Sequence, residues 1–214
     1  MSADTRIKIC GLSNSTDIAA AVDAGATYVG FVFFPRSARN LKLKDAAQLA
    51  GDVPAGICKV ALTVNAGFDF LDQLIETVPL DMLQLHGSET PDQVAGVKDR
   101  YRLPVMKAVG VGDETDLPAL QEYMRAADQI LVDAKPPAGA ALPGGNGLTF
   151  DWRLIAGRRW AVPWMLAGGL TSSNVSAAIR LTGANQVDVS SAVESSPGIK
   201  DQALIREFCK AAKR

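Results

Sequence analysis

Short apolar runs rich in β-branched residues alternate with amphipathic stretches from one end of the chain to the other. The runs fall at 6–10, 27–33, 57–64, 81–85, 103–109, 129–133, 162–167 and 185–189, and the amphipathic stretches at 15–24, 43–50, 67–77, 91–98, 114–125, 151–157, 172–182 and 201–212. Strands and helices in strict alternation predict a parallel α/β fold. Helix punctuation agrees with that reading. Ser13-Asn14-Ser15-Thr16-Asp17 offers N-cap side chains, and Gly25 and Gly183 stand where a left-handed residue ends a helix without a Cβ clash. Asp23-Ala24-Gly25-Ala26 and Leu181-Thr182-Gly183-Ala184 read as one helix-to-strand turn used twice.

Eight strand–helix units in 214 residues leave about 27 residues each, close to the roughly 30 of one such unit and below the roughly 250 of a typical eight-unit barrel. An open doubly wound sheet is the rival arrangement, but the Gly-x-Gly-x-x-Gly loop that usually follows its first strand is missing, and Gly11 stands alone after Cys10. A compact closed barrel in one domain spanning 1–214 is the expectation. The segment from Ala134 to Thr149 breaks the rhythm. With Pro136-Pro137, Pro143, Gly139, Gly144, Gly145 and Gly147 it reads as an active-site lid.

Composition narrows the chemistry. At 48% hydrophobic and 21% charged residues, with a formal net charge of -1, the chain has neither the basic stripe of a nucleic-acid binder nor a long-range attraction to anionic membrane. No apolar run approaches the roughly 20 residues of a membrane span, and the start lacks a signal-peptide stretch, so the cytoplasm is the expected location. Cys10, Cys58 and Cys209 are far apart and odd in number, which argues for thiols rather than a disulfide framework. A single histidine, His86, and no acidic cluster at hard-ion spacing predict no metal site.

In a closed barrel, active sites are built from the loops after the strands, which makes polar residues at strand ends the candidates. Cys10 ends the first strand and Asp133 the sixth, a base and an acid that would face each other across one mouth. Leu166-Ala167-Gly168-Gly169-Leu170 and Val187-Asp188-Val189-Ser190-Ser191 end the seventh and eighth. Glycines let backbone amides approach an anion and paired serines open a short helix, so Gly168, Gly169, Ser190 and Ser191 form a candidate phosphate site. After the second strand, Arg36 and Arg39 offer two guanidiniums, either of which could clamp a carboxylate. Gln84 and His86 share one face by period-two alternation; His86 reads as an acid–base group, a hydrogen-bond donor or a structural side chain.

These residues resemble a known family. Lys8-Ile9-Cys10-Gly11, Gly30-Phe31-Val32-Phe33-Phe34-Pro35 through Arg39, Leu83-Gln84-Leu85-His86-Gly87, Gly144-Gly145-Asn146-Gly147 before Thr149-Phe150-Asp151-Trp152, Ala167-Gly168-Gly169-Leu170 and Asp188-Val189-Ser190-Ser191 are similar, in order and along essentially the whole chain, to phosphoribosylanthranilate isomerases of tryptophan biosynthesis. The resemblance implies a single-domain (β/α)8 TIM barrel and an Amadori rearrangement of N-(5-phosphoribosyl)anthranilate to 1-(2-carboxyphenylamino)-1-deoxyribulose 5-phosphate. It implies Asp133 as general acid and Cys10 as general base. Arg39 would hold the anthranilate carboxylate, Gln84, His86 and Asp188 would line the pocket, and Gly168, Gly169, Ser190 and Ser191 would hold the phosphate. No cofactor is expected, because the iminium formed on ring opening already acidifies the neighbouring C–H. The thiol base calls for a pKa depressed by nearby cations or backbone dipoles, and the acid for burial beneath the lid.

Three positions depart from the family pattern: Leu148 stands where a lysine is usual, Thr63 where an aromatic is common, and the loop from Ala134 carries a longer insert. They bear on lid closure and on the fit of the anthranilate ring. The rival readings are another sugar-phosphate isomerase or epimerase, and a non-catalytic phosphosugar-binding barrel. A second substrate from histidine synthesis would call for paired aspartates in place of the Cys10 base. The partners expected are a small phosphosugar substrate, no nucleic acid and no membrane, with the chain a monomer or homodimer.

Overall fold

The computed structural model describes residues 5–137, 139, 144, 145 and 147–213. Eight parallel strands close on themselves in sequence order: β1 (Arg6–Cys10), β2 (Tyr28–Phe33), β3 (Cys58–Thr63), β4 (Met82–Leu85), β5 (Val105–Val111), β6 (Gln129–Ala134), β7 (Trp164–Leu166) and β8 (Gln186–Val189). Successive side chains on a strand point to opposite faces, and the sequence divides accordingly. Ile7, Ile9, Val29, Phe31, Ala61 and Leu83 face outward into a layer shared with the helices. Tyr28, Val60, Met82, Met106, Leu131 and Met165 fill the barrel interior, and Cys10, Val32 and Leu62 form a separate apolar cluster with Phe34 and Val64.

The expected α/β barrel is present, with one element corrected. The helices are α1 (Ser15–Asp23), α2 (Leu43–Gly51), α3 (Phe68–Thr77), α4 (Pro91–Tyr101), α5 (Leu117–Ala126), α6 (Val175–Thr182) and α7 (Gln202–Ala212). The helix expected at 151–157 is instead a single 3-10 turn at Trp152–Leu154. Asp151 accepts from the Arg153 amide at its start, and Gly157, at φ 68°, turns the chain away five residues after Trp152. That length is too short to repay helix nucleation. A second element was not anticipated. After β8 and another 3-10 turn at Ser191–Val193, β9 (Glu194–Ser196) and β10 (Ile199–Lys200) form a small antiparallel hairpin at the mouth.

The two similar helix-to-strand turns take the same form. Gly25 and Gly183 both have left-handed φ, at 88° and 71°, each followed by a buried alanine, Ala26 or Ala184. Among the described residues, no helix is long and apolar enough to cross a membrane.

One buried ion pair on the outer face holds the loop after β4. Lys107 on β5 points away from the barrel interior and donates to the carbonyls of Leu85 (3.2 Å) and Gly87 (2.7 Å) and to Glu89 Oε2 (3.0 Å). Glu89 in turn accepts from the amides of Asn65 (2.7 Å) and Gly87 (2.9 Å), and its own carbonyl accepts from Tyr123 (2.9 Å). The pair fixes the chain on both sides of His86. Removing one partner of such a pair strands the other charge without compensation, whereas replacing both need not. Glu89→Ala is therefore expected to lower the free energy of unfolding by about 3–5 kcal/mol, and adding Lys107→Met should recover much of that loss. Urea denaturation of both variants checks this; equal stability of Glu89→Ala and the parent chain would contradict it.

Candidate active site

Inward-facing residues at the carboxyl ends of the strands, with the loops after them, enclose a cavity of about 220 Å³. Its lining includes Cys10, Arg39, His86, Asp133, Gly168, Gly169, Asp188, Ser190 and Ser191, nine of the ten residues to which the family resemblance gave a role. The exception is Gln84. It is fully buried one inward position below His86, and its Nε2 lies 2.8 Å from His86 Nδ1. Gln84 therefore acts on the imidazole rather than lining the cavity.

Around the mouth, β7 and β8 carry the glycine and serine loops, β1 follows with Cys10, and β2 and β3 supply the apolar wall of Val32, Phe34, Leu62 and Val64. Asp133 and His86 enter from the far side on β6 and just beyond β4. Their side chains meet, with His86 Nε2 3.3 Å from Asp133 Oδ2, while Asp133 Oδ1 accepts from the Ala134 amide at 2.8 Å. With the Gln84 amide nitrogen donating to Nδ1, Nε2 keeps its hydrogen for Asp133, and Gln84 Oε1 is left buried without a partner. Turning the amide over gives Oε1 the Nδ1 hydrogen and leaves Nε2 to accept a proton carried by Asp133, at the cost of the amide N–H group's partner.

The glycines at the mouth are there for close approach. A Cβ on Gly144 would collide with His86 Nε2 and lie 2.8 Å from Asp133 Oδ2. Gly168 and Gly169 have φ of 82° and 61°; a Cβ on the first would lie 2.6 Å from the Ala134 amide, and one on the second 2.7 Å from the Leu148 carbonyl. Of the lid expected between Ala134 and Thr149, positions 138, 140–143 and 146, with Pro143 and Asn146 among them, lie outside the described residues. Gly144, Gly145, Gly147 and Leu148 do line the cavity. Leu148 is 41% exposed. Thr63 does not reach the site: it is buried on the outward face of β3 with its hydroxyl unpaired, and its neighbours Leu62 and Val64 line the cavity in its place.

The structure separates the two arginines. Arg36 is exposed and off the cavity, whereas Arg39 is buried and lines it. Gly11 permits this placement, since a Cβ there would fall 2.5 Å from Arg39 Cδ. Arg39 does not present an open fork. Its Nε and Nη2 each donate to Glu194 at 2.7 Å, and Nη1, which faces Gly145, has no hydrogen-bond partner among the described residues. Glu194 also binds Lys200 at 2.7 Å, and Lys200 donates to the Ser190 carbonyl at 2.9 Å. Ser190 Oγ then donates to the Cys10 carbonyl at 3.0 Å.

Three charged groups of the site were missed by sequence reasoning: Lys8, Glu194 and Lys200. Lys8 is fully buried and its Nζ binds Asp188 Oδ1 at 2.9 Å. Asp188 Oδ2 has no protein hydrogen bond among the described residues. The expectation that the Cys10 pKa is depressed is overturned. Burial pushes the thiol above its ordinary value, against the opposing pull of Lys8 and Lys200, and Asp188 pushes it the same way as burial. Period-two alternation from Cys10 would have found Lys8; nothing local marks Glu194 or Lys200. Among the described residues, no cluster of His, Cys, Asp and Glu could hold a metal ion.

Residues 7–211 match the family model described as N-(5'phosphoribosyl)anthranilate (PRA) isomerase. A Cereibacter sphaeroides protein named N-(5'-phosphoribosyl)anthranilate isomerase is 63% identical over 211 residues, covering 99% of this chain and 100% of its own. The crystal structure of phosphoribosyl anthranilate isomerase from Thermotoga maritima superposes with a TM-score of 0.87 at 38% identity, over 98% of each chain. A phosphoribosyl anthranilate isomerase solved in complex with reduced 1-(o-carboxyphenylamino)-1-deoxyribulose 5-phosphate superposes with a TM-score of 0.84 at 36% identity, again over 98% of each chain.

Proposed function

The chain belongs to the N-(5'-phosphoribosyl)anthranilate isomerase family of tryptophan biosynthesis, and from that membership we propose that its barrel mouth carries out the Amadori rearrangement with Asp133 as general acid and Cys10 as general base. The observation that carries the assignment is that both side chains line one cavity together with an apolar wall, a guanidinium and the two glycine and serine loops. A phosphosugar bearing an aromatic carboxylate needs all four.

The order of strands orients the substrate. The phosphate goes to Gly168, Gly169, Ser190 and Ser191 on the β7–β8 side, and the anthranilate ring to Val32, Phe34, Leu62 and Val64 on the β2–β3 side. Arg39 Nη1 meets the carboxylate. The ribose then spans β1, with Cys10 on one side and Asp133 on the other. Asp188 Oδ2, which has no protein hydrogen bond among the described residues, is available to a sugar hydroxyl.

Asp133 gives its proton to the ring oxygen. The C1–O bond breaks and the nitrogen lone pair forms the iminium. Cys10, as thiolate, takes the proton from C2, and those electrons form the C1–C2 double bond while nitrogen recovers its lone pair. The resulting enolamine becomes the ketone when its hydroxyl proton is lost and C1 is protonated. His86 serves the first step by holding Asp133 Oδ2, and Gln84 sets the imidazole tautomer from below. Solution of a related enzyme with a reduced form of the product supports this substrate class over a simple pentulose phosphate.

The direct test follows the fluorescence of freshly generated phosphoribosylanthranilate: the chain is expected to consume it and to leave a simple pentulose phosphate unchanged. Binding without turnover would indicate a non-catalytic barrel. Cys10→Ala and Asp133→Asn are each expected to lower kcat by about 10²-fold or more while circular dichroism stays native; near-normal turnover of either removes that residue from its role. Arg39→Ala should act mainly on KM. Glu194→Gln, which loosens the fork without deleting it, should raise KM in the same direction by a smaller factor. An unchanged KM in Arg39→Ala would take the guanidinium out of the carboxylate site.

A further inference from the structure

The acid and base assignments leave one buried cation without a role. Lys8 lies two residues before Cys10 on β1, so the strand pleat turns both side chains into the barrel. Gly30 stands beside Cys10 in the register of β1 with β2. A Cβ on Gly30 would lie 2.9 Å from Cys10 Sγ and 3.2 Å from Lys8 Cε. The sulfur and the lysine stem thus lean into the same gap, one that only glycine leaves open. On the other flank, β8 places Asp188 directly opposite Lys8, and its Oδ1 takes the ammonium at 2.9 Å.

We propose that Lys8 is a positioning residue for catalysis: its ammonium, steered by Asp188, is the counter-ion against which Cys10 ionises. The proposal rests on the reading of Cys10 as the base. A solely architectural role explains the arrangement less well, because a fully buried ion pair inside a barrel gains little stability over apolar side chains of similar volume. Interior positions of the lower barrel are indeed filled by Val60, Met82, Met106 and Leu131.

The charges around the sulfur come from several elements. Lys8 is on its own strand, Asp188 on β8, Lys200 on β10 and Arg39 in the loop after β2; Asp133 and His86 face it across the cavity from β6 and from the loop after β4. Lys8 is the strongest attraction on the thiolate, and Asp188 is the opposing repulsion. Lys8 does not exchange its own proton near neutrality. Burial favours the neutral amine, but Asp188 and Cys10 together hold the ammonium well above the ordinary lysine range. Its contribution is therefore a fixed charge rather than proton transfer.

The sign of each substitution follows. Removing the Lys8 charge should raise the Cys10 midpoint further, and removing the Asp188 charge should lower it. The experiment uses the full chain with Cys58→Ala and Cys209→Ala, so that Cys10 is the sole thiol, and titrates it by thiolate absorbance and by the pH dependence of iodoacetamide alkylation in the free enzyme. Lys8→Met is expected to move the midpoint up by about 1–3 pH units. Alkylation at a fixed pH below the midpoint should slow by about tenfold for each unit. Asp188→Asn is expected to move the midpoint down, and this variant serves if Lys8→Met fails to fold with Asp188 left unpaired. The limb of kcat/KM against pH should move with the thiol in each variant. A midpoint that stays put, or moves the same way in both variants, overturns the proposal. A midpoint that moves while the kcat/KM limb does not, with Cys10→Ala still turning over, overturns the base reading on which the proposal stands.

Discussion

Closure of the barrel is a pairing between its first and last strands, and everything at the mouth depends on the register of that pairing. Lys8 lies opposite Asp188 and Ile9 opposite Val189, nearly the whole chain apart in sequence. A slip of one residue would turn Lys8 and Cys10 outward into the layer that now holds Ile7 and Ile9, and would bring those isoleucines into the cavity. A lysine forced among the helices without Asp188 would be a buried, uncompensated charge. The ion pair therefore selects the register that also places the thiol at the mouth. Fold closure and site assembly share one interaction.

A second chain of contacts links the two ends of the expected substrate. Arg39 is braced by Glu194, Glu194 by Lys200, and Lys200 by the Ser190 carbonyl, while Ser190 reaches back to the Cys10 carbonyl. The β9–β10 hairpin exists to close this circuit: Glu194 and Lys200 are paired directly across it. Its tip also packs tightly, since a Cβ on Gly198 would lie 2.7 Å from the Ala38 carbonyl, close to Arg39. A guanidinium held through two of its three nitrogens loses little further side-chain freedom when it meets an anion, which is how a prepaid contact strengthens binding.

The sequence was most informative where structure is periodic. Strand ends predicted that Cys10 and Asp133 would face each other across one mouth, alternation put Gln84 and His86 on one face, and the family resemblance added Asp188. Helix ends at Gly25 and Gly183 were legible for a local reason, the absence of a Cβ at a left-handed position. What could not be read was non-local or too short. The turn at Trp152–Leu154 has the composition of a helix but lacks the length of one. The hairpin strands, at three and two residues, carry no period. Arg36 and Arg39 are chemically equivalent in local sequence; the family resemblance named Arg39, and in the structure Glu194, 155 positions away, holds it. Gln84, expected to line the pocket, lies one inward position below it and meets His86 instead. Thr63, named as a departure that bears on the aromatic ring, is buried on the outward face of β3 and does not line the cavity.

The expectation for the Cys10 pKa failed in the most useful way, because it ran against a real competition. A base in a water-poor pocket needs cations to ionise, and the site supplies them in Lys8 and Lys200. The same exclusion of water penalises the thiolate before any substrate arrives. Asp188 adds to that penalty while keeping Lys8 in place. The cations around the thiol are themselves paired with carboxylates, Lys8 with Asp188, and Arg39 and Lys200 with Glu194. The pair that closes the barrel is thus also the pair whose two charges act on the thiol in opposite senses.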